Sequence, residues 1–347
     1  MRLALDAMGG DHAPEVTVAG AVEAAKECNH EIVLVGQESV LKAELAKYQT
    51  KKLPITIVNA TETIGMDDLP AQAVRQKKDS SLVVAARMVA ERKTDAFVSA
   101  GNSGAAMAAS LLHLGRLPGV SRPAITTVFP TLSGGCAILD VGANVDCKPK
   151  HLFQFAVMGK VYLEKVSGMS NPRVGVLSIG EEETKGNELS LATYELLKKS
   201  KLNFIGNVEG RDIPKGKADV IICDGFVGNI VLKFGEGVAE MMLKLVKQEF
   251  KAHPISWMSL PFLWTALRDL RKKVDYTEHG GAPLLGVDGV CIIAHGGSNA
   301  KAIKNALKAA ARYAEKNVNQ EVAQEIAQYD SLLAEGTKEK KSDTAAM

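Results

Sequence analysis

Residues 95–113 read DAFVSAGNSGAAMAASLLH, and the folding of this stretch decides the class of the whole chain. Ala96, Phe97 and Val98 form an unbroken apolar run, which suits a strand buried on both faces rather than one with a wet side. From Ala105 the composition turns to alanine and leucine over helix length, with no proline. Between the two lie Gly101, Asn102, Ser103 and Gly104, a turn whose Asn and Ser are helix-capping residues. Strand, glycine turn and helix in that order make one unit of a parallel α/β sheet.

The same unit recurs on both sides of it. Short apolar runs ending in Gly, Asp or Asn occur at RLALDA (2–7), EIVLVG (31–36), PITIVNA (54–60), AITTVFP (124–130), CAILDVG (136–142), RVGVLSIG (173–180), NFIGNVEG (203–210), DVIICDG (219–225) and GVCIIAHGG (289–297). Helix-length stretches separate most of them. The expected fold is therefore α/β: three layers, a mostly parallel sheet covered on both faces, as one catalytic unit over 1–335. Crossings between two lobes are expected near 137–152 and 278–289. The charged, apolar-poor end, 336–347, reads as a disordered tail.

Composition narrows the function. The 347 residues suffice for a large core, and 42 basic against 40 acidic residues give no reason to invoke nucleic acid. Five cysteines, an odd number with no C-x-x-C pair, read as reduced core residues of a cytoplasmic protein rather than a zinc or disulfide framework. A strand pattern containing Asp6 follows directly on Arg2, which leaves no signal-peptide apolar region, and no run is long enough to span a bilayer.

Polar chemistry gathers at five strand ends: DAMGGDH (6–12), SAGNSGA (99–105), DVGANVD (140–146), CDGFVGN (223–229) and AHGGSNAKA (294–302). Parallel sheets bind ligands at the carboxyl ends of their strands. Glycines let backbone N–H groups approach a small anion, and Asn102, Ser103, Asn229 and Ser298 stand where they would cap a helix or hold that anion. Taken singly each is an ordinary capped turn; five on one edge of one sheet make a polar cleft. The motifs G-x-G-x-x-G, G-x-x-x-x-G-K-[ST], H-E-x-x-H and G-x-S-x-G are missing, so the nucleophile need not belong to the protein. His113, in an alanine- and leucine-rich helix, reads as packing, whereas His12 and His295 lie in polar loops.

LALDAMGGDHAP, DLPAQAVRQKKDSSL, DAFVSAGNSGAAMA, GVSRPAI, LDVGANVDCKP, EEETKGNE, LNFIGNVEGRDIPKGKADVIICDGFVGNIVLK and GVDGVCIIAHGGSN together resemble the bacterial phosphate acyltransferases, the acyl-acyl-carrier-protein:phosphate transacylases of phospholipid synthesis. The likeness runs from residue 1 to about 330. It implies transfer of a fatty acyl group from acyl carrier protein to inorganic phosphate. It also implies a fold like those of phosphotransacetylases and isocitrate or isopropylmalate dehydrogenases, and no cofactor. A homodimer, peripheral attachment to the inner face of the membrane, and a functional link to an acylphosphate:glycerol-3-phosphate acyltransferase are implied as well. A coenzyme A-dependent phosphotransacetylase, a nicotinamide-dependent dehydrogenase and a non-catalytic membrane scaffold are the rival readings.

For that reaction the protein has to hold phosphate against a thioester and stabilise an oxyanion. Lys185, His12, Ser103 and Asn102 are the expected catalytic residues. Gly9, Gly10, Asp11, Gly101, Gly104, Asn144, Asp224, Asn229, His295 and Ser298 are expected to line the phosphate and acyl-substrate site. Asp6, Asp11, Asp140 and Asp224 would repel phosphate if bare, and so are expected to orient donors or cap helices; a metal held by them is the lesser reading, by analogy with the dehydrogenases. Arg75, Lys77 and Lys78, or Arg268, Arg271, Lys272 and Lys273, offer docking for an acidic carrier protein. Residues 253–276 read as an amphipathic hairpin tip, with Trp257, Leu260, Phe262, Leu263 and Trp264 against the membrane, or else as a dimer or core contact.

Overall fold

The structure is a computed structural model in which residues 1–252, Arg268, 280–329 and 331–333 are described. The expected membrane hairpin of 253–276, its basic cluster apart from Arg268, and the expected tail of 336–347 lie outside the described residues.

The apolar runs, joined by Ala282–Leu285, which none of them includes, become the strands of one sheet. They are β1 (Arg2–Asp6), β2 (Glu31–Gly36), β3 (Ile55–Asn59), β4 (Ala96–Ser99), β5 (Ala124–Thr131), β6 (Gly134–Leu139), β7 (Val174–Ser178), β8 (Phe204–Glu209), β9 (Val220–Ile222), β10 (Ala282–Leu285) and β11 (Cys291–Ile293). Their order across the 11-stranded sheet is β3-β2-β1-β4-β11-β10-β5-β6-β9-β7-β8. The helices are α1 (Glu15–Glu27), α2 (Glu38–Leu45), α3 (Pro70–Gln76), α4 (Ser81–Ala90), α5 (Ser103–His113), α6 (Pro149–Tyr162), α7 (Glu188–Lys198), α8 (Gly225–Ala252), α9 (Ala300–Glu315) and α10 (Val318–Ala327).

Successive strand residues serve opposite faces, as a two-residue period requires. Leu3, Leu5, Val98, Leu139 and Ile222 pack on one face with Val18 of α1, Phe153 of α6 and Ile303 of α9. Ala4, Phe97, Ile138 and Ile221 pack on the other with Val84 of α4 and Ala106 of α5. Each core runs under both ends of the sheet. Between β4 and β5 the chain passes through α5 and residues 114–123, and it comes back to the middle of the sheet at β10, which lies between β5 and β11.

Polarity is the main departure from expectation. β1 to β4 and β11 run parallel to one another, and so do β6 to β9. Between the two sets lie three antiparallel pairings, β11 with β10, β10 with β5 and β5 with β6. Three reversals turn the second set against the first. The carboxyl ends of β1, β4 and β11 therefore face one edge of the sheet, and those of β6, β9 and β7 the opposite edge. α8 leaves Phe226, Ile230, Phe234, Val238 and Met241 exposed, an apolar stripe at three- and four-residue spacing.

Candidate active site

At the first edge, three of the five loops converge on a buried carboxylate. Asp6 closes β1 and is 2 % exposed. Its Oδ1 accepts the Ser81 hydroxyl at 2.6 Å, and its Oδ2 the Ser99 hydroxyl at 2.7 Å. Burial pushes this carboxyl above the ordinary range for aspartate, and the two seryl hydrogen bonds partly offset the rise. Ser99 Oγ in turn accepts the Gly101 N–H at 3.1 Å. Gly9 is packed so closely that a Cβ there would collide with Asp6 Oδ2 and lie 3.0 Å from Gly101 N. Gly10, at φ +112°, turns the chain toward the third loop, and Asp11 N–H donates to Gly296 O at 2.9 Å.

The start of α5 supplies the donors. Asn102, 8 % exposed, caps it as expected: its Oδ1 accepts the Ala105 N–H at 3.1 Å. The Asn102 Nδ2 donates to Met66 O at 3.0 Å and Asp68 O at 3.2 Å, which ties the 65–69 loop to the same spot. The N–H groups of Ser103 and Gly104, in the first helical turn, and of Gly10 have no hydrogen-bond partner among the described residues. Open N–H groups at a helix start form an anion-binding surface. Gly104 has a packing reason of its own, because a Cβ would lie 2.8 Å from Pro70 Cγ. The side chains of His12, Asp11, Ser103 and His295 are exposed at this edge, and His295 Nδ1 accepts the Gly297 N–H at 3.1 Å.

Ser298, also at this edge, is buried to 4 % and does not cap α9; Asn299 does, its Oδ1 accepting the Ala302 N–H at 2.9 Å. Lys77 is half-buried and committed, with its Nζ 2.5 Å from Asp68 Oδ2 and 3.0 Å from Thr63 O, which leaves Arg75 and Lys78 as the exposed cations of that cluster. The lysine holds the Asp68 carboxyl below its usual range.

Asn144, Asp224, Asn229 and Lys185 lie at the opposite edge, so the five loops do not share one edge. Asp140, fully buried at the end of β6, accepts from five donors: the N–H groups of Ile125, Gly142, Ala143 and Asn144 at 3.1, 3.2, 3.0 and 2.6 Å, and Asn144 Nδ2 at 2.9 Å. Burial raises its carboxyl, and the loop's hydrogen bonds counter the rise. Asn144 also donates to Pro123 O at 2.7 Å, which makes it a strut of this turn. Asn229 is not a cap, because it lies inside α8. Asp224 fills that place, its Oδ1 accepting the Val227 N–H at 2.9 Å. Lys185 is exposed on a loop held through its own carbonyl, which accepts from Ser178 Oγ at 3.0 Å and Asn207 Nδ2 at 3.2 Å. No hydrogen bond or ion pair among the described residues links it to the glycine loops of the first edge.

Two other groups bear on the chemistry. Glu181, Glu209 and Asp212 bring carboxylate oxygens within 4.8 Å of one another, and three cations already answer them. Lys217 lies 2.8 Å from Glu181 and 3.8 Å from Asp212, Lys215 lies 2.9 Å from Asp212, and Arg211 pairs with Glu209. The five cysteines are free thiols, and burial pushes those of Cys136, Cys147 and Cys291 up to about 12 and that of Cys223 well above its ordinary value. None of these four is an activated thiolate at neutral pH.

The molecule is an α/β protein with the fold of the phosphotransacetylases. A phosphotransacetylase from Streptococcus pyogenes aligns over 94 % of each chain with a TM-score of 0.59 at 16 % identity. The EutD phosphotransacetylase from Staphylococcus aureus aligns over 90 % of this chain and 94 % of its own, with a TM-score of 0.56 at 15 % identity. Sequence goes further than fold. Residues 1–321 match the family described as "Fatty acid synthesis protein". The phosphate acyltransferase of Endomicrobium trichonymphae is 66 % identical over 311 residues, 88 % of this chain and 92 % of its own, and that of Heliobacterium modesticaldum is 57 % identical over the same shares. The chain belongs to this family of bacterial phosphate acyltransferases and is an acyltransferase.

Proposed function

We propose that the protein transfers a fatty acyl group from acyl-acyl carrier protein to inorganic phosphate, with the phosphate held at the first edge on the Gly10, Ser103 and Gly104 N–H groups. The open donors on convergent glycine loops, in a chain of this family, are the observation that carries the reading. Phosphate is extensively ionised at neutral pH, so it needs no protein base. One of its oxygens attacks the thioester carbonyl carbon, the C–S bond breaks, and the carrier's thiolate leaves. That thiolate, by analogy with cysteine at about 8.5, needs little help from a general acid. What remains for the protein is positioning and stabilisation of the oxyanion, which preorganised N–H groups provide. His12 and His295 are the exposed imidazoles at this edge.

Purified protein is expected to release free carrier from palmitoyl-acyl carrier protein only when phosphate is present, with a hydroxylamine-reactive acyl phosphate as co-product. A thioester left intact at saturating phosphate would overturn the reading. Faster turnover of palmitoyl-coenzyme A than of the carrier thioester would instead favour the phosphotransacetylase-like rival.

The acyl phosphate is proposed to feed an acylphosphate:glycerol-3-phosphate acyltransferase in phospholipid synthesis, with the protein at the inner face of the membrane. No helix among the described residues is long and apolar enough to cross a bilayer. The apolar stripe of α8 is assigned to a second copy of the chain. Phe234, 73 % exposed, makes the test simple: light scattering is expected to give a two-copy mass for the wild type and a one-copy mass for Phe234→Glu. A monomeric wild type would contradict the assignment.

A further inference from the structure

Among the described residues, no cation forms an ion pair with the buried carboxylate beneath the glycine loops. Asp6 pairs in register with Val35 on β2 and Ser99 on β4, in the middle of the first parallel set, where an apolar residue would be buried without the cost of desolvating a carboxylate. It differs in arrangement from Asp140, the buried aspartate of the other half. Asp140 accepts mainly from its own succeeding loop, whereas Asp6 accepts side-chain hydroxyls from two other elements, Ser81 at the first residue of α4 and Ser99 at the last residue of β4.

We infer that Asp6 is a positioning residue for the phosphate site, acting through Ser99 on the turn that opens α5 and by direct packing on the turn that follows β1. The linkage is continuous. Ser99 donates to Asp6 at 2.7 Å and accepts from Gly101 at 3.1 Å, and the next residues are the Asn102 cap and the open N–H groups of Ser103 and Gly104. On the other side, Gly9 lies against Asp6 Oδ2 with no room for a Cβ, and Gly10, the third donor, follows it. One carboxylate therefore sets the spacing between donors carried by two separate loops. Donors that grip phosphate before and during the reaction contribute to binding throughout, so loosening them raises the Michaelis constant for phosphate before it lowers kcat.

The inference rests on the phosphate-site reading above and has its own test. Ser99→Ala, Asp6→Asn, the double variant and Ser99→Thr are assayed with phosphate and the carrier thioester varied independently. An asparagine offers only one carbonyl oxygen, so one serine loses its acceptor. Ser99→Ala and Asp6→Asn are each expected to raise the KM for phosphate about tenfold, a loss near 1.4 kcal/mol, with the thioester KM moved less than about twofold. The double variant is expected to be no worse than the worse single one, as members of one relay are not additive. Ser99→Thr keeps the hydroxyl and is expected to recover most of the affinity. If Asp6→Asn does not fold, Ser99→Ala decides alone. An unchanged phosphate KM in Ser99→Ala, or a fall in kcat with both KM values unmoved, overturns the inference. Failure of the wild type to consume phosphate would instead overturn the reading beneath it.

Discussion

Ser103→Pro is expected to remove most of the acyl transfer while leaving the fold intact. Ser103 is the first residue of α5, the one helical position where proline is welcome, because the N–H it lacks has no helical partner there. The preceding Asn102 already has the extended conformation that a following proline demands, with φ −62° and ψ 112°. No hydrogen bond among the described residues is lost, since the Ser103 N–H makes none. What disappears is one donor of the proposed phosphate and oxyanion surface, a type of group whose removal costs about 10²–10³ in turnover. Ser103→Ala retains the N–H and loses only an exposed hydroxyl, so its expected loss is about tenfold or less. The comparison of kcat/KM for the two variants, with melting temperatures to confirm folding, isolates the backbone contribution. Equal rates for Ser103→Pro and the wild type would mean that the α5 start does not touch the reacting groups.

Asp140→Ala is expected to produce the largest loss of stability in the described part of the chain. Five donors converge on this carboxylate, which has no exposed surface, and Gly225 and Gly228 of α8 pack against the same residue. Each orphaned buried donor costs about 1–3 kcal/mol, and relaxation and entering water recover part of the sum. A net loss of about 4 kcal/mol is a large share of a typical folding free energy of about 5–15 kcal/mol. At about 2 °C per kcal/mol for a large domain, the melting temperature is expected to drop by about 8 °C. Asp140→Asn retains one acceptor oxygen and is expected to lose roughly half as much. A thermal melt of Asp140→Ala within 2 °C of the wild type, a shift of under about 1 kcal/mol, would show that the loop satisfies its donors without the carboxylate.

The alternation of strand and helix was legible because buried parallel strands leave unbroken apolar runs such as Ala96–Val98, and their turns need glycine and capping residues. The direction of each strand was not. AITTVFP and CAILDVG look like the other runs, yet β5 and β6 pair antiparallel, and that reversal moves Asn144, Asp224, Asn229 and Lys185 to the far edge. Apolar pattern reports burial and is silent about polarity. Capping failed locally for a similar reason. Asn299 directly follows Ser298, and Asp224 directly precedes α8, five residues before Asn229, so several eligible residues competed for one place. Ser81 and Ser99 went unrecognised because the contacts that give them a role span 75 and 93 residues of sequence. A serine closing an apolar strand immediately before Ala-Gly was the available signal for Ser99, and nothing local marked Ser81 or the 65–69 loop.

Phosphate is proposed to bind at the edge formed by the carboxyl ends of β1, β4 and β11. Amide resonances of the isotope-labelled protein, followed while inorganic phosphate is titrated in, test it most directly. Saturable shifts are expected at Gly10, Ser103 and Gly104, with Gly142, Gly225 and Gly228 of the opposite edge unmoved. Shifts confined to Gly142, Gly225 and Gly228, with the α5 start silent at saturating phosphate, would contradict it.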